Sequence, residues 1–273
     1  MEQQLAGNTM SEDYYQNPLL KWCGGKRWLI EQLKSFYHPS MRIVDPFVGG
    51  MSVPLGLKAK AALISDINPH LMNLYSHLKH GFVKGSEYDH IEFRNDENVY
   101  YRNRTLFNCL CSSGQSFTTD GALLFYYLNR TGFNGLCRFN KSGEFNVPFG
   151  KYTSINYVTD FTGYQTAMKD WILMHGDFES LPVAPTDFIY ADPPYDSGFT
   201  QFAPRDFTWA DQTRLADWLS KNPGKVVASN QATPRIIDLY KSHRFEIYQL
   251  SGPRMISSSG DRTPAQEILA VKR

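Results

Sequence analysis

Short apolar runs alternate with amphipathic stretches along most of this chain. Arg42-Ile43-Val44, Ala61-Ala62-Leu63-Ile64, Phe188-Ile189-Tyr190, Lys225-Val226-Val227-Ala228, Phe245-Glu246-Ile247-Tyr248 and Ile268-Leu269-Ala270-Val271 read as strands. Each is a brief β-branched, aliphatic or aromatic run bounded by polar or turn-forming residues. Apolar positions at helical spacing predict helices over Trp28 to Tyr37, Leu71 to Leu78, Ala122 to Leu128, Asp211 to Leu219 and Pro234 to Tyr240. Strand-helix alternation of this kind predicts an α/β fold with a doubly wound, mostly parallel sheet.

The alternation stops between about 80 and 165, where Arg, Asn, Tyr and Gly dominate, and this stretch is read as an inserted lobe. Net charge sharpens the picture. The 273 residues carry a formal charge of only +1, so any polyanion-binding footprint has to be local. From Arg94 to Lys151 seven basic side chains face four acidic ones, a surplus of three in the segment richest in Asn and Tyr. Phosphate contacts and base-edge reading can coexist there.

Other compositional signals are mostly exclusions. No apolar run reaches membrane-spanning length, and the polar, acidic stretch from Met1 to Tyr15 does not resemble a signal sequence. The four cysteines form no CxxC pair and the histidines no metal-ligand spacing, which predicts a reducing, cytoplasmic setting and no metal.

The candidate chemistry lies at the strand ends, where open α/β sheets bind ligands. Asp192-Pro193-Pro194-Tyr195 closes the run Phe188-Ile189-Tyr190-Ala191. Two prolines fix the backbone and remove donors, so Asp192 and the Pro193 carbonyl form an acceptor-lined slot on which Tyr195 can stack a flat ring. Such acceptors grip the N–H bonds of an exocyclic amine and favour a pyramidal, nucleophilic nitrogen. The plainer reading is a proline-stiffened turn. Asp45-Pro46-Phe47-Val48-Gly49-Gly50 follows another strand and permits close ligand approach. Asp66 ends the next, placed either to accept ribose hydroxyls or to cap the helix begun at Pro69. Asp177-Phe178, just before the slot strand, offers a carboxylate and an aromatic for an adenine edge, or a surface turn. Lys21-Trp22-Cys23-Gly24-Gly25-Lys26 puts two cations, an aromatic and two glycines before a helix, for an anion or as a simple loop and cap.

Taken together, from Leu20 onward, these motifs resemble the Dam-type DNA adenine methylases, class α amino-methyltransferases. Asn129-Arg130-Thr131-Gly132-Phe133-Asn134-Gly135-Leu136-Cys137-Arg138-Phe139-Asn140 is similar to the family's recognition hairpin, and Ser229-Asn230-Gln231-Ala232-Thr233 to a late motif. One position departs: Met51 stands where the first sheet motif ordinarily has its second glycine.

The resemblance implies a Rossmann-like methyltransferase sheet in two parts, residues 1–80 and 165–273. Between them it implies a mainly helical recognition lobe at 81–164 containing a β-hairpin. It implies S-adenosylmethionine held by Trp22, Cys23, Gly24, Lys26, Asp45, Phe47, Gly49, Asp66, Asp177, Phe178 and Asp192, with catalysis at Asp192, Pro193, Pro194 and Tyr195. It also implies a monomer acting on double-stranded DNA, at a GATC-like site, through Lys21, Arg130, Asn134, Leu136, Arg138, Asn140 and Arg254. Arg138 suits guanine and Asn134 adenine in the major groove, with Leu136 an apolar contact; Asp196 to Phe207 reads as a flap over the slot. Two alternatives remain at this level: an amino-methyltransferase acting on cytosine N4 or RNA, and a catalytically silent DNA-binding protein.

Overall fold

The structure, a computed structural model, describes residues 17–82, 91–196, 207–253 and 265–272. Arg254, and residues 197–206 of the expected flap, lie outside them. Seven strands form one sheet: β1 (Ile43–Asp45), β2 (Ala62–Asp66), β3 (Ile172–His175), β4 (Phe188–Ala191), β5 (Lys225–Gln231), β6 (Glu246–Gly252) and β7 (Ala265–Lys272). Their spatial order is β3-β2-β1-β4-β5-β7-β6. The first five pair in parallel, whereas β7 runs antiparallel to both β5 and β6. This is the mostly parallel α/β sheet that the apolar runs predict.

Both faces of the sheet are covered, which is why its central strands read as continuous apolar runs rather than alternating ones. On β4, Ile189 and Ala191 join one core with Leu215, Ala216 and Leu219 of α7 (Trp209–Lys221) and Ile236 and Tyr240 of α8 (Pro234–Ser242). Phe188 and Tyr190 point the other way. They enter a larger core shared with α3 (Pro69–His80), α4 (Glu97–Ser112) and α5 (Thr119–Thr131). Each fully buried aliphatic side chain there contributes about 1.5–3 kcal/mol. Residues between the second and third strands thus extend the core of the sheet rather than building a separate one, and α4 and α5 make that segment mainly helical.

Local chemistry sets the element ends. Asn68 caps α3 by accepting from the backbone N–H of His70 and Leu71, with Pro69 in the first helical position. Asp96 and Thr118 cap α4 and α5, and Thr208 with Asp211 forms a reciprocal capping box on α7. The helix expected over Trp28 to Tyr37 is shorter: a 3-10 turn at Arg27–Leu29 leads into α1 (Ile30–Leu33). Four elements were not expected: α2 (Ser52–Gly56), α4, α6 (Thr162–Met168) and β3. The expected hairpin is an irregular antiparallel loop with two bridges, Gly132 to Phe149 and Phe139 to Phe145. No helix among the described residues is long and apolar enough to cross a membrane.

Candidate active site

The carboxyl ends of β1, β2 and β4 converge on three acids, Asp45, Asp66 and Asp192. Asp192 follows β4 directly and has both oxygens engaged. Its Oδ1 accepts from Ser229 Oγ at 2.7 Å, and that hydroxyl pairs with the Tyr190 OH at 2.8 Å. Its Oδ2 lies 2.9 Å from Lys26 Nζ, an ammonium whose side chain is 4% exposed. Lys26 also donates to the Gly24 carbonyl at 2.6 Å and sits 5.0 Å from the centroid of the Tyr195 ring. The Tyr195 hydroxyl donates to Glu267 Oε2 at 2.7 Å. Behind the prolines, Gln212 of α7 donates to the Pro194 carbonyl at 2.8 Å and accepts from Asn230 Nδ2 at 3.0 Å. Asp192, Pro194 and Tyr195 are therefore held by β5, α7, β7 and the N-terminal motif together.

Burial dominates the electrostatics. It pushes the Tyr195 and Tyr190 hydroxyls well above their usual range, reinforced by the neighbouring Asp192 carboxylate. Asp45 is raised well above an ordinary carboxyl, first by burial and further by Asp192 and Asp66. Burial lifts Asp66 to about 6 although it accepts from the Asn68 and Gly49 N–H groups at 2.9 and 3.1 Å. The cap on α3 is Asn68, so that role for Asp66 drops away.

The glycine turn after β1 is roofed by Trp22. A Cβ on Gly49, whose φ is +43°, would stand 2.7 Å from the indole Nε1. Met51 occupies the left-handed region at φ +58° and is fully buried. Phe47 lies 5.8 Å from Phe178 and edge-on to Phe207 at 5.6 Å, forming an aromatic wall beside the turn. Asp177 is turned to other use: Arg214 grips both its oxygens, at 2.7 and 2.8 Å, and also covers the Phe178 ring. That pairing holds the Asp177 carboxyl below its usual range. Cys23 is half-buried, its thiol pushed up by burial.

The residues expected to read DNA gather around the loop after α5. Asn129 stitches this loop to the N-terminal motif, accepting from the Lys21 N–H at 2.9 Å and donating to the Lys21 and Gly135 carbonyls at 2.8 and 3.1 Å. Lys21 Nζ rests 3.4 Å from the centroid of the Tyr152 ring, and burial with the adjacent Arg130 lowers its pKa to about 8. Arg130 donates to the Leu19 and Asn156 carbonyls. Asn134 has φ +53° and is half-exposed, as is Leu136. Arg138 is oriented by Asn146, donating to its side-chain oxygen at 2.7 Å. Asn140 shapes the loop tip, accepting from the N–H groups of Ser142 and Glu144 and donating to the Glu144 carboxylate at 2.8 Å. Arg130, Arg138 and Asn140 thus have internal partners, while Asn134, Leu136 and Arg138 are each half-exposed.

Sequence reasoning missed Gln212 and Glu267. Gln212 was hidden in an ordinary amphipathic helix. Glu267 had a signal: a charge in register with Leu269 and Val271 on one buried face of β7.

The chain matches the family model of the D12 class N6 adenine-specific DNA methyltransferases over residues 22–256. It is 33% identical to the retron Ec67 DNA adenine methylase of Escherichia coli over 93% of this chain and 90% of that one. A DNA adenine methylase of Vibrio cholerae is 34% identical over 94% of this chain and 96% of its own length. The DNA N-6-adenine-methyltransferase of Escherichia phage P1 is 31% identical over 94% of this chain, which spans 35% of the phage protein.

Proposed function

Because the chain belongs to the D12 class of N6 adenine-specific DNA methyltransferases, we propose that it moves a methyl group from S-adenosylmethionine to the N6 amine of an adenine flipped out of duplex DNA, in a GATC-like site. The observation that carries this reading is the Asp192 slot. Each Asp192 oxygen, though bonded to Ser229 or Lys26, keeps a second acceptor lobe for an incoming N–H. With Pro193 as partner acceptor, Asp192 draws density onto the amine nitrogen as positive charge develops there, a preorganised electrostatic effect. Tyr195, tethered by its hydroxyl, offers a fixed face for the base. Flipping costs a few kcal/mol, offset by the new stack and hydrogen bonds.

The donor site fits as well. Asp45, Asp66 and Asp192 crowd negative charge into a buried corner, and their repulsion contributes to the raised pKa of Asp45. A sulfonium cation relieves that repulsion, Asp66 suits a ribose diol, and the Phe47–Phe178 wall suits an adenine ring. When bound, S-adenosylmethionine supplies the electrophilic methyl. The chain's own residues align the amine and exclude water, so orientation carries much of the rate. The segment 81–164 serves as the recognition lobe, with Arg138 and Asn134 reading base edges, and a monomer in the cytoplasm suffices.

Labelled methyl transfer to duplexes with GATC or a scrambled site tests the reading. Incorporation into GATC alone supports both chemistry and site, equal incorporation removes the site, and none removes the enzyme. Asp192→Ala should abolish transfer with the fold retained, and a wild-type rate in that variant overturns the mechanism. Nucleoside mass spectrometry separates N6-methyladenine from N4-methylcytosine.

A further inference from the structure

Glu267 is a charged side chain in a place where the fold otherwise puts hydrocarbon. On β7 it shares a face with Leu269 and Val271, pairs in register with Gln231 of β5 and Leu250 of β6, and is only 7% exposed. Buried carboxylates persist where they are paired and hydrogen-bonded, and the partners here belong to the candidate active site. Oε2 accepts from the Tyr195 hydroxyl at 2.7 Å and lies 4.0 Å from Lys26 Nζ. Lys26 in turn lies 2.9 Å from Asp192. Space around the carboxylate is tight: a Cβ on Gly252 would stand 2.8 Å from Glu267 Oε1 and the same distance from the Trp28 ring. Glycine at that β6 position gives the carboxylate room, and the walls leave it little freedom to turn elsewhere.

We propose that Glu267 is a positioning residue for methyl transfer, fixing the plane of the Tyr195 ring through its hydroxyl and helping to hold the Lys26 ammonium against Asp192. The proposal rests on the Asp192 to Tyr195 slot being the reaction site. Two features of the geometry give it content. Tyr195 follows two prolines, so its backbone is stiff but its ring is free to rotate about the side-chain bonds unless the hydroxyl is anchored. Lys26, lying between two carboxylates, stays centred on Asp192 only while the second acid is present. Without Glu267 the ammonium loses its second carboxylate and is freer to drift from the Asp192 oxygen it steadies. Glu267 acts through Tyr195 and Lys26 and itself touches no reacting atom.

The experiment is a set of variants assayed for kcat and KM with GATC duplex and S-adenosylmethionine: Glu267→Ala, Glu267→Gln, Tyr195→Phe, the double variant Tyr195→Phe with Glu267→Ala, and Asp192→Ala as control. Rates are normalised to the folded fraction measured by circular dichroism. Glu267→Ala should lower kcat about 10- to 100-fold, the range for losing a hydrogen bond to a charged group, with KM for DNA and donor within about twofold. Glu267→Gln, which keeps an acceptor for the Tyr195 hydroxyl, should recover part of that loss. Adding Tyr195→Phe to Glu267→Ala should cost less than Tyr195→Phe does alone, because the two act through one contact. A purely structural role would leave kcat per folded molecule unchanged in every Glu267 variant, and that result overturns the proposal. Full additivity of Tyr195→Phe and Glu267→Ala overturns it too. If the Glu267 variants are wild-type while Asp192→Ala is dead, only the positioning role fails; if Asp192→Ala is also active, the site assignment itself is wrong.

Discussion

Met51 shows two opposed effects at one residue, and magnitudes decide between them. A left-handed conformation costs a side-chain-bearing residue about 1–2 kcal/mol, which is why glycine is the expected occupant. Met51 is fully buried, however, and deleting a buried side chain of its size costs about 2–5 kcal/mol. Burial should win. Met51→Gly is expected to lower unfolding stability by about 1–3 kcal/mol in urea titration while leaving donor affinity unchanged; a stabilised variant would show that strain dominates. Asp66 carries a second prediction. With its pKa lifted to about 6, it is mostly protonated at pH 5 and mostly ionised at pH 7. If its carboxylate accepts the ribose hydroxyls, S-adenosylmethionine affinity should fall roughly tenfold between those two values, and Asp66→Asn should flatten the dependence in calorimetric titrations. At this scale part of the candidate site was legible: the strand-end acids Asp45, Asp66 and Asp192 lie close enough to interact, and Lys26, read only as one cation of a loop before a helix, pairs with Asp192. Asp177 illustrates the limit, since nothing in its own neighbourhood of sequence reveals that Arg214 of α7 takes its carboxylate.

Elements carry the parts of the site that no motif announces. α7 places Gln212 between the Pro194 carbonyl and Asn230, so the peptide behind the slot is braced from a helix that reads only as an amphipathic cover. Gln212→Leu removes that brace and leaves the buried Asn230 amide without this partner. Steady-state assays should show kcat down about tenfold with KM for DNA little changed, and stability down about 1–3 kcal/mol; an unchanged kcat would confine Gln212 to packing. The same contrast explains which elements could be read in advance. β1, β2, β4, β5 and β7 are apolar runs because they are covered on both faces. β3 is an edge strand with exposed and half-exposed positions, yet Trp171-Ile172-Leu173-Met174 is an apolar run like the others and its signal was there to be read. α4 buries Val99, Asn103 and Phe107 on one stripe, and the asparagine, which donates to the Glu92 carbonyl, breaks the apolar period that would have revealed it.

At the scale of the whole molecule, His70 of α3 sits where the helix that follows β2 packs against α4 and α5. Its ring is surrounded by Phe107 of α4, Phe125 of α5, Phe117 between those helices, and Phe139, which bridges to Phe145 in the loop after α5. Its Nδ1 is buried without a hydrogen-bond partner. Burial lowers the His70 pKa from 6.5 to about 4. Between those values the unfolded chain takes up a proton that the folded chain refuses. The associated stability is fully present above 6.5 and drains away as pH falls toward 4, by on the order of 2 kcal/mol after allowance for its partial exposure. Denaturant midpoints measured across this range should fall in wild type and less in His70→Phe; parallel profiles would remove His70 as the cause. The sheet order has a consequence of another kind, in time rather than in space. β6 pairs only with β7 among the described strands, and β7 is the last of the seven to leave the ribosome. Until then β6 waits as an open edge beside a half-finished sheet, the circumstance in which nascent chains stick to one another. Its mixture of exposed and half-exposed side chains, with Glu246 at its head, suits a strand that must stay soluble while it waits to be joined.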